Sequence, residues 1–129
     1  MDKVRVAPLV GIAGCVGVLA ALAYPYAVGA TGVSAYYGSG PVNPLVAGLL
    51  AAVGVIVFAA GRAGRTDPGF AAGAGLVFGI FMLVILLVWG TTARIDAVQL
   101  PQWHRWATLA MAALVPLGGL WFARTLDLL

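Results

Sequence analysis

The sequence predicts an all-α membrane protein, an antiparallel bundle of four transmembrane helices. Hydrophobic residues make up 63% of the chain and charged residues only 9%, whereas soluble domains carry about 25% charged residues. Residues 70–89 contain no charge, amide, hydroxyl or proline. As an α-helix this stretch would span about 30 Å, the thickness of the hydrocarbon core of a bilayer. Three further apolar stretches make up most of the remaining chain, so lipid is expected to surround the protein.

Four helices are expected in a single domain of residues 1–129, at about 5–27, 44–61, 68–90 and 102–126. Asn43-Pro44 and Asp67-Pro68 predict two of the helix starts, because a short polar side chain caps the first turn and proline fits the first helical position. Residues 61–66 form a tight basic turn, so the second and third helices should pack antiparallel. Pro116 predicts a kink in the fourth helix.

The first apolar stretch has a rival interpretation as a targeting segment. A basic start, an apolar middle and residues 21–23 resemble a signal-peptide cleavage site, and residues 12–15 resemble a lipoprotein signal. The apolar run continues past Cys15, however, where a lipoprotein would become polar. We therefore favour a helix that stays in the membrane.

Residues 29–43 are rich in glycine, uncharged and predicted to form the first loop. Four tyrosines lie in this loop or just before it: Tyr24, Tyr26, Tyr36 and Tyr37. Tyrosine suits the headgroup region, where its ring meets hydrocarbon and its hydroxyl meets water. Interfacial anchoring is the favoured interpretation, and a ligand-binding pair formed by Tyr36 and Tyr37 is the alternative.

The distribution of positive charge predicts that both termini are cytoplasmic. Four spans place the termini on the same side, and cytoplasmic segments carry the excess of lysine and arginine. One side would hold five basic residues, and the other only two. The larger set is Lys3, Arg5, Arg62, Arg65 and Arg124, and the smaller set is Arg94 and Arg105.

Small residues are expected to hold the helices together, because helices in lipid gain little from the hydrophobic effect when they meet. The third helix has two GxxxG spacings, the first formed by Gly69 and Gly73 and the second by Gly75 and Gly79. These glycines should let the backbones approach closely. We favour contacts of these glycines with other helices of the same chain over a role in a dimer interface.

Residue types disfavour several kinds of chemistry. The predicted spans have no Asp, Glu, Lys, Arg or His at their centres, and the chain has no glutamate at all; ion-coupled carriers need such groups within the membrane. One histidine and one cysteine cannot form a paired-histidine haem site or a histidine–cysteine zinc cluster. We therefore expect no metal and no cofactor. The basic residues form no stripe that could follow a nucleic-acid backbone.

The outer face holds the remaining candidates for a binding site. His104 and Asp96 could form an acid–base pair, but no nucleophile, second base or metal set accompanies them, so no catalytic residue is expected. A ligand site, if the chain has one, is expected where six outer residues could converge: Tyr36, Tyr37, Arg94, Asp96, His104 and Arg105.

Four short motifs together resemble a family of small four-span membrane proteins from haloarchaea. They are residues 36–40 (YYGSG), Asn43-Pro44, the turn from Gly61-Arg62 to Asp67-Pro68, and residues 104–106 (HRW). The resemblance covers most of the chain. It implies the four-helix fold and a membrane location, and it adds no catalytic or binding residue, because that family has no assigned activity.

The favoured function is that of a non-enzymatic integral membrane protein, a structural or accessory subunit in the plasma membrane. Its partners would be the lipid bilayer and either another membrane protein or further copies of itself. The alternative is a small channel or facilitator formed by oligomers, with a glycine-lined backbone and the Pro116 kink in place of charged side chains. An enzyme is the third possibility.

Overall fold

A computed structural model of the protein describes residues 3–38, 40–92 and 100–129. All regular structure in these ranges is helical. The elements are α1 (Lys3–Ala27), α2 (Val33–Gly38), α3 (Leu45–Arg62), α4 (Pro68–Thr92) and α5 (Trp103–Thr125). The four longest, α1, α3, α4 and α5, are long and apolar enough to cross a membrane. The prediction of an all-helical chain with four such helices is confirmed.

Both predicted capping side chains lie at helix starts. Asn43 Oδ1 accepts the backbone N–H of Leu45 at 2.9 Å, and Asp67 Oδ2 accepts that of Phe70 at 3.1 Å. Each bond satisfies a first-turn N–H that has no partner within the helix. The Asx-Pro pairs therefore begin α3 and α4 by the mechanism that the sequence predicts.

The turn between α3 and α4 depends on Gly64. Its φ is 73°, a left-handed conformation that glycine adopts without a steric penalty. The N–H of Arg65 donates to the carbonyl of Ala60, five residues earlier, at 2.9 Å. This is the hydrogen bond of the Schellman motif, with which helices commonly end. The chain can therefore leave α3 and enter α4 within a few residues.

Each long helix packs against two others. The most extensive contacts join α1 to α5 and α3, and join α4 to the same two helices. The core between them is apolar, and its fully buried side chains include Cys15, Phe58, Met82 and Val115. The four helices thus surround one common core.

Phe58 of α3 fills the centre of this core because two glycines leave room for its ring. A Cβ atom built on Gly11 of α1, or on Gly75 of α4, would lie 2.4 Å from Phe58 Cζ. No side chain at either position could be accommodated without moving the ring. One aromatic side chain therefore connects three helices.

Helix α5 makes three contacts in which a glycine lies against the backbone of a neighbouring helix. A Cβ on Gly118 would lie 2.4 Å from the backbone N of Gly11, and one on Gly79 would lie 2.5 Å from the N of Pro116. A Cβ on Gly119 would lie 2.7 Å from a backbone nitrogen of α4. The sequence pattern did not single out the glycine pair of α5, although both of its members lie at helix contacts.

The four glycines predicted to pack α4 have different surroundings. Gly75 and Gly79 lie at the contacts just described. The nearest atoms to a Cβ on Gly69 are 3.3 and 3.4 Å away, and nothing lies within 4 Å of a Cβ on Gly73. The close contacts are thus concentrated at the second GxxxG spacing.

Part of the predicted first loop is helical. Residues 33–38 form α2, which follows a turn with positive φ at Gly29 and Gly32. Val33, Tyr36 and Tyr37 are buried, and their spacing of three and four residues places them on one face of a helix. Contacts of that face with the rest of the protein stabilise a helix too short to be stable alone.

Candidate functional site

The candidate residues that the structure describes meet at one end of the molecule, where α2 covers the ends of three long helices. Tyr36 and Tyr37 come from α2, Trp89 from the last turns of α4 and His104 from the first turn of α5. Each of these four side chains is at most 2% exposed. We call these four residues the histidine–tyrosine cluster.

The hydrogen bonds of His104 fix its tautomer. Its Nε2 lies 2.5 Å from the carbonyl oxygen of Ala21, and because a carbonyl can only accept, Nε2 must carry a proton. In the neutral ring Nδ1 is then an acceptor, and the hydroxyl of Tyr36, 2.8 Å away, donates to it. The ring therefore connects α5 to α1 and α2 at once.

The carbonyl of Ala21 is available to His104 because Pro25 lies four residues later in α1. Proline has no N–H, so the carbonyl four residues before it loses its helical partner. A carbonyl that is shielded from water and has no donor costs free energy, and at this part-buried position His104 supplies the donor. His104 thus replaces the helical hydrogen bond that Pro25 removes.

Two further hydrogen bonds hold α2 in place. The hydroxyl of Tyr37 donates to the carbonyl of Leu22 at 2.7 Å, and Trp89 Nε1 donates to the carbonyl of Tyr36 at 2.9 Å. The first connects α2 to α1 and the second connects it to α4. Every side chain of the histidine–tyrosine cluster consequently has a hydrogen-bond partner inside the protein.

The rings of the cluster also pack closely against one another. The centroids of Tyr36 and Trp89 are 5.1 Å apart in an edge-on arrangement, and those of Tyr36 and Tyr37 are 5.3 Å apart in a stacked one. Both geometries are favourable for aromatic pairs. Tyr24 stacks on the outer side of His104 at 6.0 Å, so a layer of aromatic side chains closes this end of the core.

Burial keeps both phenols of α2 neutral. It raises the pKa of Tyr36 to about 12, although the nearby Arg105 guanidinium lowers it somewhat. Burial also raises the pKa of Tyr37, and the neighbouring phenols of Tyr36 and Tyr26 act in the same direction. At neutral pH Tyr36 therefore keeps the proton that it donates to His104.

The structure brings together three of the six outer-face candidates, Tyr36, Tyr37 and His104. Arg105 lies beside them: its guanidinium donates to the carbonyl of Gly90 and lies 5.2 Å from the ring centroid of Trp106. Arg94 and Asp96 fall outside the described residues.

The tyrosines predicted to anchor the interface differ in exposure. Tyr26 is 58% exposed, whereas Tyr36 and Tyr37 are buried inside the protein. Sequence reasoning also missed Trp89, because a tryptophan at the end of an apolar stretch suggests membrane anchoring. A usable signal was present in Pro25, which implies a carbonyl that needs a donor.

Metal-binding and thiol chemistry find little support in the described part of the chain. It contains no group of three or more His, Cys, Asp or Glu side chains that could hold a metal ion. Cys15 is buried in α1, and a Cβ built on Gly54 would lie 2.8 Å from its Sγ. The thiol is thus a small packing group at the contact between α1 and α3.

Fold and site together define a small all-helical protein with four helices suited to a membrane, closed at one end by a buried aromatic cluster. The chain belongs to a family of unknown function, DUF7548, whose model matches residues 1–127. The family match covers nearly the whole chain, and its description assigns no activity. Comparisons with curated proteins and with solved structures find no match.

Proposed function

We propose that the protein is a non-enzymatic structural or accessory subunit of the plasma membrane, which acts by binding another membrane protein or a second copy of itself. It would span the bilayer as an antiparallel bundle of four helices, with both termini in the cytoplasm. The observation that carries this proposal is the histidine–tyrosine cluster. Its polar groups bond to one another and to the helices, so they serve to hold the protein together rather than to face a substrate.

The contacts at the helix ends support the proposed topology. Arg62 Nε donates to the carbonyl of Arg5 at 2.8 Å, so the end of α3 lies beside the start of α1. A Cβ on Gly69 would lie 3.4 Å from a methyl carbon of Leu128, so the start of α4 lies near the C-terminus. All five basic residues of the predicted cytoplasmic set belong to these helix ends, which agrees with the positive-inside rule.

The packing at Pro116 argues against a pore through a single chain at the predicted kink. Gly79 of α4 lies against the backbone nitrogen of Pro116, so another helix fills the space where a kinked helix would open. A channel would then have to form between copies of the chain. If the protein is an accessory subunit and not such an oligomeric channel, liposomes that contain the purified protein should leak ions no faster than empty liposomes.

Capture from native membranes tests the accessory role. The tagged full-length chain should co-purify with one membrane protein, or with a second copy, in a fixed ratio that native mass spectrometry can measure. Two variants truncate exposed side chains on different helices, Leu49→Ala on α3 and Phe81→Ala on α4. We expect a helix-packing partner to be lost from at least one variant.

The controls separate the possible outcomes. Both variants should keep the detergent-solubilised fold of the wild type, because the truncated side chains lie on the surface. A chain that is monomeric, captures nothing in a fixed ratio and conducts no ions would contradict the accessory role. Ion flux that scales with oligomer content would instead establish the channel.

A further inference from the structure

An apolar groove runs along one face of α3 and ends at an arginine. Its volume is about 420 Å³, within the range of about 300–1,000 Å³ typical of small-molecule sites. The residues that line it are Val55, Ile56, Ala59, Ala60, Ala63 and Arg65. Three of the lining residues, Ala59, Ala60 and Ala63, have small side chains, so an elongated apolar group could lie against this part of the helix.

The length of the groove matches one leaflet of a bilayer. The eight-residue separation of Val55 and Ala63 corresponds to a rise of about 12 Å along a helix, and half of a hydrocarbon core is about 15 Å. Arg65 lies just past the end of α3, so in a bilayer spanned by this helix its side chain would reach the level of the lipid phosphates. The groove thus combines a hydrocarbon-length apolar wall with a cation at headgroup level.

Arg65 differs from its neighbour Arg62. The guanidinium of Arg62 is engaged by the carbonyl of Arg5 at 2.8 Å. The side chain of Arg65 is exposed and has no hydrogen-bond or ion-pair partner among the described residues. Asp67, the nearest described acid along the chain, accepts a backbone hydrogen bond as a helix cap. A free cation at the mouth of an apolar groove is complementary to an anionic amphiphile.

We propose that this groove is a binding site for an anionic phospholipid, with an acyl chain along α3 and the phosphate on Arg65. The proposal goes beyond the accessory role and holds whether or not the chain has a protein partner. It also distinguishes this groove from a second one of about 310 Å³ at the opposite end of α3, between α1 and α3. The second groove is lined by Tyr26 and apolar residues but by no charged side chain, so it offers a phosphate no cation.

Lipid retention measured by native mass spectrometry tests the headgroup contact. The full-length protein in mild detergent is mixed with equimolar phosphatidylglycerol and phosphatidylcholine of identical acyl chains. The wild type should retain phosphatidylglycerol preferentially. Arg65→Gln should lower that retention about fivefold, the change that corresponds to about 1 kcal/mol for one basic residue at a membrane surface. Arg124→Gln, an exposed arginine at the same end of the molecule that does not line the groove, should leave retention unchanged.

A second pair of variants tests the acyl-chain contact. Ala59→Leu fills the groove beside Arg65, and Ala23→Leu fills the uncharged groove; both positions are exposed on helices. Only Ala59→Leu should reduce retention of phosphatidylglycerol. Equal losses for Arg65→Gln and Arg124→Gln would overturn the proposal, because they would indicate diffuse attraction to the basic end. Equal retention of the two lipids by the wild type would overturn it as well. An unchanged elution volume and melting temperature in each variant exclude misfolding as the cause.

Discussion

The imidazole ring of His104 connects three helices at one end of this protein. His104 donates to the carbonyl that Pro25 leaves without a partner in α1 and accepts from Tyr36 of α2. Because the ring is 1% exposed, water cannot replace either partner. A histidine between two boundary tryptophans is usually an interfacial residue, so its role as a buried connector follows only from contacts made by distant parts of the chain.

Removal of the Tyr36 hydroxyl should destabilise the protein. Tyr36→Phe keeps the ring contacts but leaves Nδ1 of His104 as a buried acceptor without a donor, which costs about 1–3 kcal/mol. The melting temperature of the detergent-solubilised protein should fall accordingly. Tyr26→Phe is the matched control, because Tyr26 is 58% exposed and its hydroxyl can bond to water. Equal effects of the two substitutions would exclude a special role for the bond to His104.

Substitution by alanine should have opposite effects on stability at two glycines of α4. Gly79→Ala places a methyl group 2.5 Å from the backbone nitrogen of Pro116, and overpacking of this kind costs about 1–3 kcal/mol. Gly73→Ala meets nothing within 4 Å and should stabilise the protein by up to about 1 kcal/mol, the difference in helix propensity. Unfolding in mixed micelles by added denaturing detergent measures both. A loss of stability in Gly73→Ala would mean that this face of α4 packs against something in the folded protein.

At the scale of single elements, local signals were sufficient for the long helices. Asn43 and Asp67 bond to N–H groups two and three residues away, so the sequence around each helix start determines it. Helix α2 depends on partners much further along the chain: Trp89 lies 53 residues and His104 lies 68 residues from Tyr36. A glycine-rich segment with two tyrosines predicts a loop unless those partners are known to be nearby.

Helix α2 should detach at high pH. The pKa of Tyr36 is raised from its ordinary value of 10 to about 12, so the folded state favours the neutral phenol. The stabilisation is complete below pH 10, where the phenol is neutral in both folded and unfolded states, and is lost as the pH rises towards 12. Phenolate absorbance should show two late-titrating tyrosines, Tyr36 and Tyr37, and only one in Tyr36→Phe. The near-ultraviolet circular dichroism of Trp89 and its neighbours should change over the same pH range.

At the scale of the whole molecule, the sequence was sufficient to predict four helices long and apolar enough to span a membrane. The contacts between these helices could be identified only from the structure. The apolar length of each span can be counted in the sequence. The contact of Gly118 with Gly11, however, brings together residues of the first and last helices, and GxxxG spacing within one helix does not indicate which partner it meets. The spacing therefore indicated that glycines would lie at helix contacts. It did not indicate which glycines these would be or which helices they would contact.

The positive-inside distribution leads to a prediction about the two ends of the molecule in the cell. Thr31 and Ala63 are both exposed in turns, the first between α1 and α2 and the second after α3. In a Cys15→Ala background, Thr31→Cys should react with a membrane-impermeant maleimide added to intact cells. Ala63→Cys should react only after the membrane is opened, because the positive-inside rule predicts a cytoplasmic location for the turn that carries Arg62 and Arg65. The Cys15→Ala protein without an added cysteine is the negative control for labelling. Labelling of Ala63→Cys from outside, with Thr31→Cys protected, would reverse the topology and move the lipid site at Arg65 to the outer leaflet.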